Sequence, residues 1–396
     1  METKKSLRFI SRNFKNSSYF YFNYANFAKV PKSVIRETKK FFSLYNFGSI
    51  HFKKIEKYCE NVRSHLAGVF GGVKSQWFFG GPVSQVISNV LLQLIRDYIN
   101  INKTIPVVSS YKMNFPSLIL PVLSLESQNL CKFNLLEYPE NGIDENWCNE
   151  NINSNIFLMS LVDFYNGQIH DIELINSYCI KKNIVLIVDF SQFPYWGILD
   201  VSKYKNTIFV SVLHKWLLGL PGHSIAYINL PTKPFFMGWQ NMKNIFDYNI
   251  NDFSNTFEIS NKSPLAFSSF EGAFKLINLI GFDKINRYIS NSREYLLEKL
   301  TKLESKYNQF NVKNFNSSFI GKKSSIFSVS INSKVLKGKD ISISINRKLF
   351  DFLLKNKIIS SYFPIDSIRI STSFITSKEE IDFLIDKIEE FLRNNS

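Results

Sequence analysis

Apolar residues recur every three to four positions along residues 32–45, 55–70 and 83–99 (KSVIRETKKFFSLY, IEKYCENVRSHLAGVF and VSQVISNVLLQLIRDYI). That spacing puts them on one face of a helix. After residue 104 short β-type runs take over: TIPVVSS, NIFLMSLV, NIVLIVDF, TIFVSVL and HSIAYINL. A helix-length segment, DIELINSYCIKK, separates the second and third of these. Strand, helix, strand at this rhythm predicts a largely parallel sheet covered on both faces.

The pattern changes again near Pro264. SFEGAFKLINLI and FDKINRYISNSREYLLEKLTKLESKY read as long helices, while SSIFSVSIN and SIRISTSF alternate with period two as strands. SKEEIDFLIDKIEEFL closes the pattern as an amphipathic helix with a serine N-cap and early acidic residues. The expected organisation is an N-terminal segment, residues 1–50, contributing to the site and to the smaller domain. A large domain follows over 51–270, then a small C-terminal α+β domain over 271–396. A chain of 396 residues exceeds what one core usually spans.

Composition adds bounds rather than a function. The chain is 45% hydrophobic and 20% charged, with 48 Lys and Arg against 33 Asp and Glu, a formal charge of +15. The lysines are scattered through a chain also rich in Asn, Ile and Phe, so no basic face is predicted and no nucleic acid is expected as partner. The longest apolar runs are too short to span a bilayer, and the basic start METKKSLRFISRNFKN lacks the apolar stretch of a signal peptide. Cys59, Cys131, Cys148 and Cys179 form no CxxC pair and no zinc-spaced cluster, so no metal is expected. Free thiols suit a reducing compartment, and a cytoplasmic protein without membrane attachment is expected.

Several polar residues stand at predicted strand ends, where ligands bind in parallel α/β sheets. Asp189 ends NIVLIVDF and reads as a turn cap or a ligand-site carboxylate, with Gln192 three residues on. Lys215 follows TIFVSVL, between His214 and Trp216. FFGGPVSQVISNVL is a glycine turn entering a helix, with Val83 and Ser84 in its first turn. Ser84 is either an ordinary N-cap or part of a phosphate cradle, because first-turn N–H groups and the helix dipole favour anions. A phosphate cradle, an Asp, a Gln and a strand-end Lys in that order are what pyridoxal 5'-phosphate needs. The lysine forms a Schiff base, the carboxylate keeps the pyridine nitrogen protonated, and a hydrogen bond to the ring oxygen tunes it.

From YFNYANFAKVP to the last helix, the chain resembles the class V aminotransferase family of fold-type I pyridoxal-phosphate enzymes. That family includes cysteine desulfurases, isopenicillin N epimerase-like proteins, kynureninases and certain carbon–sulfur lyases. VDFSQFPYWGILD is similar to the family's Asp-x-x-Gln segment, and LHKWLLGLPG to its His-Lys-Trp segment. The resemblance implies that Lys215 is the Schiff-base lysine and that Ser84 stands where a Thr is usual. It also implies that Asn166 and Gly167, in SLVDFYNGQIHDI, approach cofactor and substrate. Arg369 in SIRISTSF is implied to bind the substrate α-carboxylate, and Phe115 in NFPSLILP to stack on the pyridine; otherwise Phe115 is core. Trp239 in MGWQN is a rim residue or a packed loop residue. His214 is expected at the cofactor or substrate, Asn23, Tyr24 and Tyr165 along the pocket, and His170 is given no role. The family's homodimer is implied too.

Three departures stand out. FEISNKSP has Ser260 and Asn261 where members carry a Gly-Thr pair reaching the neighbouring subunit's phosphate, leaving Asn261 as the remaining donor. Val212 stands where a phosphate-touching Ser is common, with Ser211 one place off. No cysteine follows Cys179, so the small-domain nucleophile of cysteine desulfurases is missing. With Arg369 fixing the carboxylate, Lys215 is placed to abstract the Cα proton of an L-amino acid or amino-acid conjugate. The expected outcome is carbon–sulfur lyase or aminotransferase chemistry in secondary metabolism. The alternatives are an epimerase of the isopenicillin N epimerase type and a non-catalytic scaffold.

Overall fold

The structure is a computed structural model that describes residues 10, 12–15, 17–46, 48–242, 246, 257–313, 321–332, 344–363 and 367–395. Most of the expected N-terminal start METKKSLRFISRNFKN lies outside the described residues. Strands are β1 (Phe20–Tyr21), β2 (Trp77–Gly80), β3 (Val107–Tyr111), β4 (Lys132–Leu136), β5 (Ile156–Ser160), β6 (Val185–Asp189), β7 (Thr207–Val212) and β8 (Ser224–Ile228). They continue with β9 (Phe310–Lys313), β10 (Ile326–Ile331), β11 (Ile358–Ile359), β12 (Ser361–Phe363) and β13 (Ser367–Ser371).

A seven-stranded sheet has the order β2-β8-β7-β6-β5-β3-β4. Strands β4, β3, β5, β6 and β7 are mutually parallel, and β8 runs antiparallel to both β7 and β2. Alternation along the central strands feeds two cores. Phe157, Met159, Leu186, Val188 and Phe209 face one, while Ile156, Leu158, Ile187, Ile208 and Val210 face the other. Because each face is covered, these strands carry apolar residues at both parities, the mark of a buried parallel sheet.

A second sheet, β12-β13-β10-β9, is antiparallel throughout and builds its own core. The two cores divide along the helix Phe282–Lys306: Ile285 and Ile289 pack with the large sheet, Leu296, Leu300 and Leu303 with the small one. Helix Pro264–Ile280 lies wholly with the large sheet's core through Phe267, Phe270 and Ile277. Helix Lys378–Asn394 begins with a reciprocal cap, in which Ser377 accepts from Glu380 N–H and Glu380 accepts from Ser377 N–H.

The N-terminal segment joins the two parts. β1 pairs in parallel with β11, Phe22 is fully buried in the small core, and Ala28 N–H donates to the His214 carbonyl at 2.9 Å. Six short strands and three helices were not expected from the pattern: β1, β2, β4, β9, β11 and β12, and the helices Pro116–Glu126, Glu145–Asn151 and Ile345–Lys355.

Candidate functional site

The parallel strands β3, β5, β6 and β7, together with β2, all end on the same side of the large sheet, and a cavity of about 450 Å³ opens there. Each strand delivers one piece of it. β2 leads through Gly80 and Gly81 into helix Val83–Asn102, placing Val83 and Ser84 at the rim. β3 leads to Phe115, β5 to Phe164, β6 to Gln192, and β7 to His214 and Lys215, while Asp189 at the end of β6 is buried and not part of the lining. Arg369 arrives from β13 of the small sheet.

The turn carrying Lys215 is tightly held. Leu218 N–H donates to the Lys215 carbonyl at 3.0 Å and Gly219 N–H to the Leu213 carbonyl at 2.8 Å. Leu218 sits at φ 57°, in the left-handed region, which costs a branched residue about 1–2 kcal/mol. Buried Trp216, Leu217 and Leu218 anchor it in the core. Such strain persists where surrounding packing over-determines the backbone, and here it fixes the direction of one lysine.

Lys215 is 7% exposed, with Nζ 4.9 Å from the centre of the Phe115 ring. Burial pushes its amine down to about 8; Asp189 acts against that shift, and Arg369 adds to it. Asp189 lies beneath, 5% exposed, its carboxylate accepting from Ser191 N–H at 2.7 Å. Burial raises its pKa, opposed by Ser191 and Lys215. His214 tilts against Phe27 at 4.6 Å, and burial with the Lys215 charge holds the imidazole neutral, down to about 4. Arg369 is 4% exposed, donates from Nη1 to the Phe164 carbonyl at 2.7 Å and lies over the Phe363 ring at 5.0 Å. Burial lowers its pKa to about 10.

The remaining expected residues fall differently. Gln192 reaches the cavity, but Nε2 donates to the Ala25 carbonyl at 2.8 Å and Oε1 accepts from Trp216 Nε1–H at 3.0 Å. One amide hydrogen is left for the cavity. Asn166 is turned away into a buried network: it donates to the Tyr138 hydroxyl at 2.6 Å and accepts from Gln168 N–H. Asp163 completes that network with Tyr111, Tyr138 and His170, the last at 3.2 Å. Tyr165 packs edge-on against Phe363 while its neighbour Phe164 takes the cavity wall. Asn23 accepts from the Ser361 hydroxyl at 2.7 Å, and Tyr24 packs on Trp216, so Ala25, Asn26 and Phe27 form the lining instead. Gly167, at φ 76°, presses on β10, where a Cβ would stand 2.6 Å from the Ile326 carbonyl.

Asn261 and Ser260 are exposed and line an adjoining cavity with Gly80, Gly81 and His223. Trp239 is 43% exposed, away from the lining. Ser211 is buried and its hydroxyl donates to the Val212 carbonyl, so the β7 alternation leaves Val212 at the cavity. A different hydroxyl stands there. Ser84 Oγ donates to Ser117 Oγ at 2.8 Å, and both line the cavity from the first turns of two helices, Val83–Asn102 and Pro116–Glu126. The signal for Ser117 was Pro116, a residue favoured at the first helical position. His223, Phe27, Phe164, Tyr362 and Phe363 also line the cavity without having been singled out.

These residues fit pyridoxal phosphate. Two helix starts with paired hydroxyls suit a phosphate dianion. A buried Asp189 whose charge is under-compensated suits a protonated ring nitrogen, and Phe115 suits a ring face. Two buried polar atoms, Arg369 Nε and His214 Nδ1, have no protein partner and await a ligand.

Solved structures of the same architecture bear on that fit. A variant of C-DES with glycine covalently linked to its PLP cofactor aligns over 96% of this chain and 99% of its own, at 17% identity and TM-score 0.82. Another C-DES structure describes that protein as a cystine C–S lyase bound to its product, cysteine persulfide. An apo cysteine desulfurase from Thermococcus onnurineus NA1 aligns over 98% of both chains, at 16% identity and TM-score 0.81. The cysteine desulfurase CsdA from Escherichia coli covers 98% of this chain and 99% of its own, at 15% identity and TM-score 0.80. At such identities the likeness establishes the fold, that of fold-type I enzymes. No curated protein matches the sequence. A family model described as aminotransferase class-V matches residues 20–384, nearly the whole of the described structure. With that match and a cavity built for its cofactor, the chain belongs to the class-V aminotransferases, enzymes dependent on pyridoxal phosphate.

Proposed function

We propose that this enzyme acts on an L-amino acid or amino-acid conjugate by removing the Cα proton, with carbon–sulfur lyase or aminotransferase chemistry as the outcome. The observation that carries this reading is that Lys215 and Arg369 share one cavity, the lysine buried and with its amine pKa near 8. Bound pyridoxal phosphate supplies an electron sink for the bonds at Cα.

Arg369 is suited to clamp the α-carboxylate, since its Nε is buried without a partner and a guanidinium fork matches a carboxylate. Its own bond to the Phe164 carbonyl fixes the direction of that fork. Lys215 Nζ, with a pKa close to neutrality, is suited both to attach the cofactor and to carry the Cα proton. Asp189 is suited to stabilise positive charge at the ring nitrogen. Phe115 and the N-terminal segment exclude water from the lysine.

Within the family, the lyase reading is favoured over sulfur transfer to a protein cysteine. Cys59, Cys148 and Cys179 are buried with thiols pushed up to about 12, and Cys131 to about 11. None lines the cavity. The link 364–366, beside the wall residue Phe363, lies outside the described residues but contains no cysteine. The proposal includes a homodimer and, given the free thiols, a reducing compartment such as the cytoplasm.

The test is Cα–H exchange in D2O with a panel of L-amino acids and S-substituted cysteines, alongside assays for pyruvate, ammonia and keto-acid-dependent amino transfer. Exchange with at least one compound is expected. Its absence with every compound overturns the reading. Light scattering at micromolar concentration checks the dimer, and a monomer there sinks that part.

A further inference from the structure

An aromatic wall runs from the lysine to the arginine. Phe115 meets Phe164 edge-to-face at 5.3 Å, and Phe164 meets Phe363 at 5.7 Å. The two cations cap its ends, Lys215 over Phe115 at 4.9 Å and Arg369 over Phe363 at 5.0 Å. All three rings are only partly buried, and all three line the cavity. Phe27, 44% exposed, lines it from the N-terminal segment. A large apolar surface left uncovered at a concave site marks what the site receives.

The charges around the cavity narrow the choice. No carboxylate is found among the described lining residues, so a basic side chain has no partner and meets Lys215 and Arg369. Arg369 is suited to the α-carboxylate and Lys215 to the cofactor, so neither is spare for an acidic side chain. Burial depresses the two lining histidines, His214 to about 4 and His223 in the same direction, so neither supplies a cation near neutral pH. Burying an unpaired charge of either sign is costly.

We infer that the substrate is an L-amino acid with a neutral, apolar or aromatic side chain, received by Phe164 and Phe363 of this wall and by Phe27, with Phe115 left to the cofactor ring. The inference rests on the reading proposed above and names the substrate class of that site. Two sources share the chemistry: an aromatic amino acid undergoing amino transfer, and a cysteine carrying an apolar group on sulfur, undergoing cleavage.

The experiment compares phenylalanine, S-benzyl-cysteine and methionine with cysteine, glutamate and arginine on the holoenzyme. It follows perturbation of the visible cofactor band, with Cα–H exchange measured in parallel. Covering one phenyl group predicts affinity roughly 30-fold or more above that for the charged compounds. Phenylmethanethiol, pyruvate and ammonia from S-benzyl-cysteine and water, by loss of the Cα proton and breakage of the Cβ–S bond, identify the lyase source, and phenylpyruvate with the acceptor keto acid converted to its amino acid identifies the other. Phe27→Ala and Phe363→Ala are each expected to reduce the aromatic preference, read as the ratio of phenylalanine to alanine affinity in the same variant, at least tenfold. Glutamate, arginine or free cysteine binding as well as the aromatic compounds overturns the inference, as does an unchanged preference in both variants. Exchange at Cα with charged substrates only would reject the substrate class and leave the proposed reaction standing. No exchange with any compound rejects both.

Discussion

Gln192 Nε2 donates to the carbonyl of Ala25 at 2.8 Å, so a side chain expected to serve the cofactor also holds the N-terminal segment over it. Its Oε1 meanwhile accepts from Trp216 on the lysine turn. Gln192→Leu would leave both groups unmatched, a loss of about 1–3 kcal/mol for each buried partner. A lower melting temperature and faster proteolysis within residues 22–31 are expected. Unaltered protease resistance of that segment would show that other contacts hold it.

Lys215 gives a pH signature. Its amine titrates near 8 in the folded chain against 10.5 for a free lysine. Between those values the unfolded chain keeps a proton that the folded chain has released, so this group's contribution to stability rises with pH across that window. Below it the cofactor-free protein carries a buried cation, at a cost of about 3 kcal/mol. Lys215→Met is therefore expected to melt higher than the parent apo-protein at pH 7, with the advantage shrinking towards pH 11. An advantage independent of pH would remove the buried charge as its cause. The rate of covalent cofactor attachment to the parent chain should rise with pH about a midpoint near 8.

Ser117 and Ser84 share a hydrogen bond at the paired helix starts. If they serve the phosphate, Ser117→Ala weakens cofactor retention by about tenfold, the worth of one hydrogen bond to a charged group. Dialysis followed by cofactor fluorescence measures this, and helix content should not change. Retention equal to the parent would leave Ser84 and the helix start sufficient.

Arg369→Lys keeps the charge and loses the fork, and it deprives the Phe164 carbonyl of its partner. The expected result is a KM for the amino acid raised by about 10- to 100-fold with the cofactor still bound. Loss of the cofactor instead would point to a structural failure of β13.

Gly167 stands at φ 76°, and a Cβ there would approach the Ile326 carbonyl to 2.6 Å. Gly281, at φ 94°, has open space around it. Both alanine variants lose about 1 kcal/mol to backbone strain. Only Gly167→Ala also has to move β10, so its melting temperature should fall further than that of Gly281→Ala. Equal losses would mean the two sheets can separate there freely.

The large sheet was legible where its strands are buried on both faces, because continuous runs such as IVLIVDF have no other comfortable reading. β4 was not: it is an edge strand with Lys132, Asn134 and Leu135 exposed, which breaks the alternation. β2 is four residues long and ends in a glycine pair that reads as a turn. Helix Pro116–Glu126 is apolar nearly all round and contains Pro121, so it shows neither period. Among site residues, those at strand ends could be found because the topology itself gathers them. Phe164 and Phe363 could not, since their meeting depends on how the small sheet is seated on the large one. Gln192 and Asn166 were noticed as polar residues near the right turns, but which way an amide faces is decided by partners such as Ala25 and Tyr138, distant in sequence.

β1 sets an order of events during synthesis. Phe20 and Phe22 bond to the carbonyls of Lys357 and Ile359, Ala25 bonds to Ser371, and Ala28 bonds to His214. A nascent chain emerging from the ribosome therefore carries the N–H groups of Phe20, Phe22 and Ala25 without these partners until residue 371 has followed them out. The large sheet can collapse before then and offers Gln192 to Ala25 and His214 to Ala28, yet the strand pairing and the Ser371 bond that seat the segment over Lys215 are still missing. Closure of the lysine pocket is thus among the last steps of folding, a contact of very high sequence separation and correspondingly slow to form. A chain released early would present a formed sheet with an open, water-filled lysine, competent to meet aldehydes and unable to shelter them.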